Sequence, residues 1–407
     1  MQIRHTCLVL LLVLIAFVWV DAVETIKPFR IEIPQDEVDE VKRRVSQTRL
    51  PAQLPNAGWE YGTNYEFLRE IIQHWNTSYD WRSEESRLNR FPQYTTEIDG
   101  LTIHFIHSKS KSPSTSYPLL FSHGWPGTFL ECTKLLHYLN EEENGLSFDV
   151  ICPSLPGYGF SSPPTQKGFD VPKIASLFVK LMERLNYDRY IVQGGDWGSL
   201  VSTHVANLDR EHCEGVHINL FMASMFDKGV IATTRGLIDF GLQGAGYLHI
   251  QATEPDTVAV GLNDSPAGLA AYLLSKYYRW SDLKGGDLEK IYTKDELLTF
   301  IHIYWFTQSI GSSMRLYYEE MQHLEFSKIA KDLYIQQPTG YIQFPAETMK
   351  HARWEVEYYY NLVQYSTPES GGHFAALEEP KTLNDDIRSF FEKARPMFKA
   401  ETQREEL

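Results

Sequence analysis

The sequence predicts an α/β fold, with a mostly parallel central sheet, helices on both faces, an inserted helical cap and an N-terminal wrapping segment. Three observations support this prediction. From Tyr94 onward, short β-type runs alternate with helical runs, as in successive βαβ units. Between about Phe221 and Ile329 helical stretches rich in Tyr, Trp and Leu replace this alternation, and strand-like runs then return. The chain of 407 residues has room for one large domain with an insertion, or for two ordinary domains.

Residues 1–22 are predicted to be a membrane anchor or a signal peptide, and not part of the fold. They begin with a basic stretch, which an apolar run from Cys7 to Val20 follows. This run is shorter than the about 20 residues of a bilayer span, and Val20–Ala22 could serve as a cleavage site, which favours a signal peptide. An uncleaved anchor could still recruit flanking residues or tilt, so both possibilities stay open.

Residues 23–93 are predicted to wrap over the main domain. Val38, Val41 and Val45 fall on one helical face, and apolar residues between Phe67 and Trp75 fall on another, with Pro- and Gly-bearing loops between the two. The segment carries no combination of acid, base and nucleophile. We therefore expect it to contribute packing and not chemistry.

The main domain is predicted in two parts, residues 94–225 and 330–407, on either side of a helical cap at residues 226–329. The first part contains a helix, Pro172–Leu185, with an apolar inward face. The second part closes with a helix after Pro380. The predicted strands are Leu101–His107, Tyr117–Ser122, Phe148–Cys152, Tyr190–Gln193, Gly340–Phe344 and Asn361–Tyr365.

Charge and cysteine spacing narrow the class of partner. The formal net charge is -15, and no run of Lys and Arg interrupts it, which argues against a nucleic-acid partner and favours a neutral or weakly polar small substrate. The four cysteines, Cys7, Cys132, Cys152 and Cys213, are widely spaced and show no metal-ligand pattern. We therefore expect no structural metal and no disulfide framework.

The run Gly194–Gly198 joins a predicted strand to a predicted helix and has Asp196 at its centre. Its small residues permit a turn sharp enough to lift the central side chain clear of the sheet edge. This matches the nucleophile elbow of the α/β-hydrolase fold, with aspartate where the G-x-S-x-G form has serine. The following helix N-terminus favours an ionised carboxylate and a developing oxyanion. By itself, however, the pentapeptide slightly favours a helix-capping aspartate, because aspartate is a preferred cap residue.

A second motif, His123–Gly127, follows a predicted strand that comes two strands before the elbow along the chain. In α/β-hydrolases a loop at this place donates one backbone N–H to the oxyanion hole, and the residue after the nucleophile donates the other. We assign these two donors to the backbone N–H groups of Trp125 and Trp197. The position of the loop relative to the elbow makes it informative, since Gly- and Pro-rich turns are otherwise ordinary.

The third motif places a histidine after the last strand and an acid after the strand before it. His373 lies in a Gly-Gly-His-Phe run, and Glu347 follows the preceding strand, which gives the order nucleophile, acid, histidine that this fold uses. Because Glu355, Glu357 and Glu369 lie nearby and strand boundaries shift by about two to four residues, the choice of Glu347 depends on the exact end of that strand.

An aspartate nucleophile indicates a particular chemistry. A carboxylate attacks amides poorly but opens a strained ring or displaces a halide, and it leaves a covalent ester. His373, oriented by Glu347, would then activate water to attack the carbonyl carbon of Asp196. If the electrophile is an epoxide, its oxygen needs a neutral proton donor such as a phenol from the cap, and composition cannot select that donor among 23 tyrosines.

Taken together, the motifs resemble those of microsomal-type epoxide hydrolases, the family that includes the arthropod juvenile hormone epoxide hydrolases. The resemblance runs from about Ile26 to the last helix. The motifs that carry it are His123–Gly127, Pro153–Ser161, Gly194–Ser199, Leu262–Pro266 and Gly371–Pro380.

The resemblance implies that Asp196 is the nucleophile, His373 the water-activating base and Glu347 its acid partner. It further implies two tyrosines that donate a proton to the epoxide oxygen. These fall on Tyr247, in Gly-Tyr-Leu-His-Ile, and on Tyr317, in Ser-Ser-Met-Arg-Leu-Tyr, where the match could slip by one residue. An N-terminal wrapping segment and attachment to the endoplasmic reticulum membrane are also implied.

The chain departs from the family in two places. The leader is compact, which leaves secretion open, and the stretch from Phe221 to Tyr247 is short, which affects the mouth of the pocket.

The main prediction is a cofactor-free epoxide hydrolase that makes vicinal diols from apolar epoxides. A haloalkane dehalogenase would share the aspartate nucleophile, and a catalytically silent binder of a lipid-like hormone would share the fold.

Overall fold

A computed structural model describes residues 25–221, 244–323 and 334–398. Within these ranges nine strands form one sheet in the order β1-β2-β3-β5-β4-β6-β7-β8-β9. Strands β4 to β9 pair in parallel, whereas β1, β2 and β3 form an antiparallel edge next to β5. The strands are Lys27–Phe29, Gln93–Ile98, Leu101–Ser108, Ser116–Ser122, Ser147–Pro153, Tyr190–Gly194, Cys213–Ile218, Ile335–Ile342 and Tyr360–Ser366, numbered in chain order.

Helices cover the faces of this sheet and connect its parallel strands. Every residue of β6 and of β7 is buried, which is typical of a parallel strand covered on both faces. The helix predicted at Pro172–Leu185 is Val171–Arg184, and Asp170 caps its N-terminus by accepting from Lys173 N–H. The helices of this part are Leu136–Asn140, Val171–Arg184, Trp197–Leu208, Arg353–Tyr359, Ala375–Glu378 and Pro380–Ala394.

The predicted strands are found, five of them to within one residue at each end. The predicted strand Gly340–Phe344 is wrong in its bounds, because β8 begins at Ile335 and ends at Ile342. The interior Pro338, which argues against a strand in the sequence, lies beside a register shift between β8 and β9, and such an irregularity accommodates a residue that has no N–H to donate. As a result, Glu347 lies five residues beyond the strand end and not three.

Strand β7, Cys213–Ile218, is absent from the sequence prediction because two polar residues interrupt its apolar pattern. Both are buried with partners. Glu214 forms an ion pair with Arg189, at 3.0 Å between Oε2 and Nη2, and His217 Nε2 lies 2.9 Å from Asp386 Oδ2. Pairing removes most of the cost of burying these groups, so a strand with a broken apolar pattern can still occupy an interior position in the sheet, between β6 and β8.

The N-terminal segment contains the helices Gln35–Ser46, Tyr65–Thr77 and Trp81–Leu88. As predicted, the valines of the first helix are buried. The segment also packs on the cap. Trp59 stacks on Tyr278 with ring centroids 4.1 Å apart, and Trp75 Nε1 donates to His302 Nε2 at 3.1 Å. Because β1 pairs with β2 as well, the segment ties the edge of the sheet to the cap.

The cap is helical in the part that the structure describes. The predicted cap, residues 226–329, includes residues 226–243 and 324–329, which lie outside the described ranges, as does most of the short stretch noted between Phe221 and Tyr247. Residues 1–22 lie outside them as well. Among the described residues, no helix is long and apolar enough to cross a bilayer. The cap helices are Gly246–Thr253, Pro255–Asp264, Pro266–Trp280, Lys294–Phe306 and Ile310–His323.

Candidate active site

Asp196 lies at the turn between β6 and the helix Trp197–Leu208. Its backbone has φ 48° and ψ −132°, a left-handed conformation that is costly for a residue with a side chain and that often marks functional sites. Although Asp196 occupies the cap position of this helix, its side chain accepts no cap hydrogen bond from the helix within the described residues. Instead, Oδ1 accepts from the backbone N–H of Trp125 at 2.7 Å. The side chain of Asp196 therefore does not cap this helix in the structure.

Close backbone approach explains why glycines surround this aspartate. A Cβ atom on Gly124 would lie 2.3 Å from Cβ and from Oδ1 of Asp196. A Cβ atom on Gly198 would lie 1.9 Å from the carbonyl oxygen of Ser122. Real atoms do not approach so closely, so both positions require glycine for the loop after β4 to reach the carboxylate.

Two phenols from the cap hold that loop, residues 123–127, in place. Tyr304 Oη donates to the carbonyl of Gly127 at 3.0 Å, and Tyr277 Oη donates to the carbonyl of Pro126 at 3.5 Å. Trp125 N–H is thereby aimed at Asp196. Trp197 is the first residue of the helix, so its N–H is one of the groups that has no partner within the helix itself.

His373 connects the carboxylate of Asp196 to a second acid. Its Nε2 lies 3.4 Å from Asp196 Oδ2, and its Nδ1 lies 2.7 Å from Glu347 Oε1. Because an ionised carboxylate oxygen can only accept, the contact with Oε1 of Glu347 places the proton on Nδ1, and Nε2 is the nitrogen that faces Asp196. The backbone N–H of His373 donates to the carbonyl of Trp280 at 2.8 Å, which fixes the turn that presents the ring.

Glu347 is the acid that reaches the histidine, and the neighbouring acids point elsewhere. Its side chain is fully buried and accepts from Thr348 N–H at 2.6 Å as well as from His373. Glu355 accepts from the N–H of Ala352, and Glu357 lies 2.6 Å from the guanidinium of Arg353. Glu369, the third neighbouring acid considered from the sequence, is exposed.

The pKa of His373 is raised well above its ordinary value despite its burial. Burial alone would lower this pKa, because it penalises the charged imidazolium. The negative charge of Glu347 and the hydrogen bond with Asp196 outweigh that effect. Part of this increase in the pKa of His373 therefore depends on Asp196 being an anion, and it would be lost if the Asp196 carboxylate became a neutral ester.

Tyr247 and Tyr317 lie next to each other on the cap side of Asp196. Their ring centroids are 5.9 Å apart, Tyr247 stacks on Trp125 at 5.4 Å, and Tyr317 meets the edge of Trp197 at 4.7 Å. Burial, with a contribution from Asp196, raises the pKa of both phenols well above the ordinary value, so both keep their protons. The adjacent Tyr318 is 38% exposed and is on the outer side of its helix.

Sequence reasoning missed Trp280, which completes the aromatic wall. Its ring lies 5.1 Å from the ring of His373 and 5.0 Å from that of Tyr247. In the sequence this tryptophan ends a helix rich in Tyr and Leu, and such residues usually pack in a core. Its role at the site depends on a contact between segments about ninety residues apart, which no local pattern reveals.

Together these groups can perform a two-step substitution. The carboxylate can attack a polarised carbon, the phenols can donate to an oxygen that leaves that carbon, and the imidazole can take a proton from water. The N–H of Trp125 already lies where an oxyanion on Asp196 would need it. Among the described residues, no three His, Cys, Asp or Glu side chains form a group that could hold a metal ion.

Family models match the chain in two overlapping regions. The model described as "Epoxide hydrolase N terminus" matches residues 26–132, and the one described as "alpha/beta hydrolase fold" matches residues 117–235. The first region covers the wrapping segment and the loop that holds Trp125. The second includes the elbow at Asp196.

Curated relatives are similar over most of their length. "Epoxide hydrolase 1" of Sus scrofa is 40% identical over 90% of this chain and 88% of its own. "Juvenile hormone epoxide hydrolase 1" of Ctenocephalides felis is 35% identical over 93% of this chain and 89% of its own.

Solved structures agree with this similarity. The juvenile hormone epoxide hydrolase of Bombyx mori superposes with a TM-score of 0.86 at 34% identity, over 92% of this chain and 96% of that one. An epoxide hydrolase of Aspergillus niger superposes with a TM-score of 0.80 at 32% identity, over 91% of this chain and 97% of that one.

Proposed function

This chain belongs to the epoxide hydrolase family of α/β-hydrolases, and from that premise we propose that it converts apolar epoxides to vicinal diols through a covalent ester on Asp196. One observation carries the proposed mechanism. Asp196 holds one carboxylate oxygen to the N–H of Trp125 and directs the other toward Nε2 of His373. The two oxygens are thus already assigned different partners.

In the proposed first step, Oδ2 of Asp196 attacks a ring carbon of the epoxide and the carbon–oxygen bond of the ring breaks. Tyr247 and Tyr317 donate to the departing oxygen, and one of them transfers its proton to it. Because the pKa of each phenol is raised by burial, the transfer is favoured only once negative charge has built up on the epoxide oxygen. Oδ1 becomes the carbonyl oxygen of the ester and is already bound to the N–H of Trp125.

In the second step, His373 takes a proton from water, whose oxygen attacks the carbonyl carbon of Asp196. The N–H groups of Trp125 and Trp197 hold the resulting oxyanion. The ester oxygen then leaves with the proton from His373, and the second water proton restores the phenol. The pKa of His373 falls when Asp196 is esterified, because the anion that raised it is gone, so the ring becomes a neutral base at the step that requires one.

The aromatic wall supports an apolar substrate. Trp125, Tyr247, Trp280 and Tyr317 contact one another around the carboxylate, and they offer a large apolar ring surface against which an apolar substrate can be buried. We propose arene or alkene oxides of foreign compounds, or lipid epoxides like juvenile hormone, as substrates. Two of the relatives are named for the latter class.

A single-turnover reaction in water enriched in a heavy oxygen isotope tests the covalent mechanism. Enzyme in excess over an aryl epoxide is allowed to react once, and the peptide that holds Asp196 is then weighed. We expect the heavy oxygen in that carboxylate and not in the first diol, because water attacks the carbonyl carbon. Label in the diol with none in the peptide would exclude the ester.

A halogenated alkane distinguishes the proposal from a dehalogenase. The test compares epoxide turnover with halide release in the double variant Tyr247→Phe and Tyr317→Phe. We expect this variant to lose epoxide turnover and to release no halide. Halide release that persists in this variant would favour the dehalogenase, which has no alkoxide to protonate. Binding of a lipid epoxide without any turnover would favour the silent binder.

We also propose that residues 1–22 attach the protein to the endoplasmic reticulum membrane, with secretion after cleavage as the alternative outcome. Two sequons, at Asn76 and Asn263, lie on exposed positions and can report the location of the body. Translation with microsomes, alkaline extraction and glycosidase digestion would separate the cases. Release by alkali with a shortened N-terminus would support secretion.

A further inference from the structure

Lys276 is a buried cation that the proposed mechanism does not use. It lies in the cap helix Pro266–Trp280, only 9% exposed. Within the described ranges no carboxylate lies close enough to form an ion pair with it. Burial, with a contribution from Arg279, lowers the pKa of Lys276 to about 8, so the ammonium is still charged at neutral pH. A buried charge needs a compensating interaction.

Aromatic rings supply that interaction. The Nζ atom lies 4.7 Å from the centroid of the Tyr247 ring, 5.7 Å from that of Tyr272 and 5.8 Å from that of Trp280. Tyr272 and Trp280 are one turn before and one turn after Lys276 on the same helix, so all three side chains share one face. Gln251 fixes Tyr272 by donating from Nε2 to its hydroxyl at 3.1 Å.

The shortest of these distances is to a phenol at the active site. Tyr247 stacks on Trp125 and lies beside Tyr317, so the ring that the ammonium faces belongs to the pair next to Asp196. A cation over an aromatic ring is attracted to its electron-rich face, and it is attracted more strongly when the ring oxygen gains negative charge. This contact therefore strengthens as Tyr247 gives up its proton.

We propose that Lys276 is a positioning residue that acts through Tyr247, making its hydroxyl a stronger proton donor to the epoxide oxygen during ring opening. This inference rests on the proposed role of Tyr247 as a donor. It predicts that Lys276 affects formation of the Asp196 ester and leaves its hydrolysis unchanged. A residue that only packed the cap would affect both steps, or neither.

The neutral and charged replacements Lys276→Met and Lys276→Arg separate charge from packing. Methionine keeps most of the apolar stem and removes the charge, whereas arginine keeps the charge. Lys180→Met, on an exposed lysine that pairs with Asp99, is the matched control. Each variant is made in the full chain, and ester formation and decay are followed by rapid quench and intact mass at saturating epoxide.

We expect Lys276→Met to slow ester formation about tenfold, a part of the about 10²–10⁴-fold that a general acid contributes. Lys276→Arg should recover most of that loss, and Lys180→Met should match the wild type. In a Tyr247→Phe background, where the ring remains and the hydroxyl is gone, Lys276→Met should have no further effect on ester formation.

The double substitution separates this inference from the mechanism it rests on. An equal loss from Lys276→Met in both backgrounds, or no loss in either, would overturn the role assigned to Lys276. If Tyr247→Phe by itself left ester formation at the wild-type rate, the donor assigned to the proposed function would fail instead. Melting curves of all variants identify any that fail to fold. If Lys276→Met is one of them, Lys276→Gln, which also removes the charge, replaces it in both backgrounds with the same expected results.

Discussion

Nε2 of His373 lies 3.4 Å from Oδ2 of Asp196, so the proposed base and the proposed nucleophile are in contact before any substrate binds. The same contact helps to raise the pKa of His373. In the proposed mechanism, esterification of Asp196 removes the negative charge at one end of this contact. The relationship therefore links the protonation of the base to the progress of the reaction.

Replacing His373 should stop the enzyme at the ester. In His373→Gln the carboxylate of Asp196 and both phenols remain, so ring opening should continue, while water loses its base. We expect turnover to fall by about 10³-fold or more, within the range of general-base catalysis and orientation together. Intact mass should show the protein plus one substrate. Loss of both the adduct and turnover would contradict the assigned step.

Replacing Glu347 should move the pH dependence of ester hydrolysis. His373 must be neutral to act, so hydrolysis decreases as the pH falls through its pKa. Since the charge of Glu347 is the largest contribution that raises this pKa, Glu347→Gln should shift the acid limb to lower pH while lowering the plateau rate.

Glu357→Gln is the matched control for this experiment, because Glu357 was weighed as the partner acid and its side chain instead pairs with Arg353. Single-turnover hydrolysis measured from pH 5 to pH 9 checks the prediction. An unchanged acid limb in Glu347→Gln would show that His373 gains its basicity elsewhere.

Removing the phenols of Tyr247 and Tyr317 should slow ring opening, and removing both should slow it more than removing either one. Each single change, Tyr247→Phe or Tyr317→Phe, leaves one donor, and the double change leaves none. We expect the double variant to lose about 10²–10⁴-fold in ester formation and each single variant less. Tyr318→Phe, on the exposed neighbour, should behave as the wild type. A large loss from Tyr318→Phe instead would shift the donor by one residue.

The loop formed by residues 123–127, which contacts Asp196, should not tolerate even one added carbon at Gly124. In Gly124→Ala the new methyl would meet Cβ and Oδ1 of Asp196 at 2.3 Å, so the carboxylate or the loop must move. We expect ester formation to fall below one hundredth of the wild-type rate, since small misplacements cost about that much. Gly261→Ala, in a cap helix with nothing within 4 Å, is the matched control. Full activity in Gly124→Ala would contradict the close approach.

Glu131 should make the stability of the fold depend on pH. A Cβ atom on Gly127 would lie 1.4 Å from Oε1 of Glu131, so the carboxyl packs directly on the loop formed by residues 123–127. Burial raises its pKa from 4.5 to about 8, with His373 lowering it and Asp196 raising it. Between these values the folded chain keeps a proton that the unfolded chain has released, so stability falls as the pH rises.

Glu131→Gln cannot ionise and should lack that fall. Melting temperatures of both proteins at pH 5 and at pH 8 check the prediction: the variant should gain on the wild type as the pH rises. Parallel changes in the two proteins would show that Glu131 ionises normally in the fold.

Several features of the site follow from local sequence alone. The runs around Asp196 and His373 are glycine-bearing turns, and each follows a predicted strand, so the order of strands and turns along the chain was enough to place them at one edge of a parallel sheet. The valines of the first helix were likewise predicted from their spacing, because a helical face is a property of contiguous residues.

Tertiary structure decided the rest. Local sequence could not choose among the acids near β8, and the fold brings Glu347 to His373 because a turn after Ile342 carries it there. It could not show that Tyr317 faces the site while Tyr318 faces out, since that depends on the rotation of one packed helix. Trp280 and Lys276 meet the catalytic residues only through contacts between distant segments. Local pattern thus predicted Asp196 and His373 as the nucleophile and base, and packing between elements decided what surrounds them.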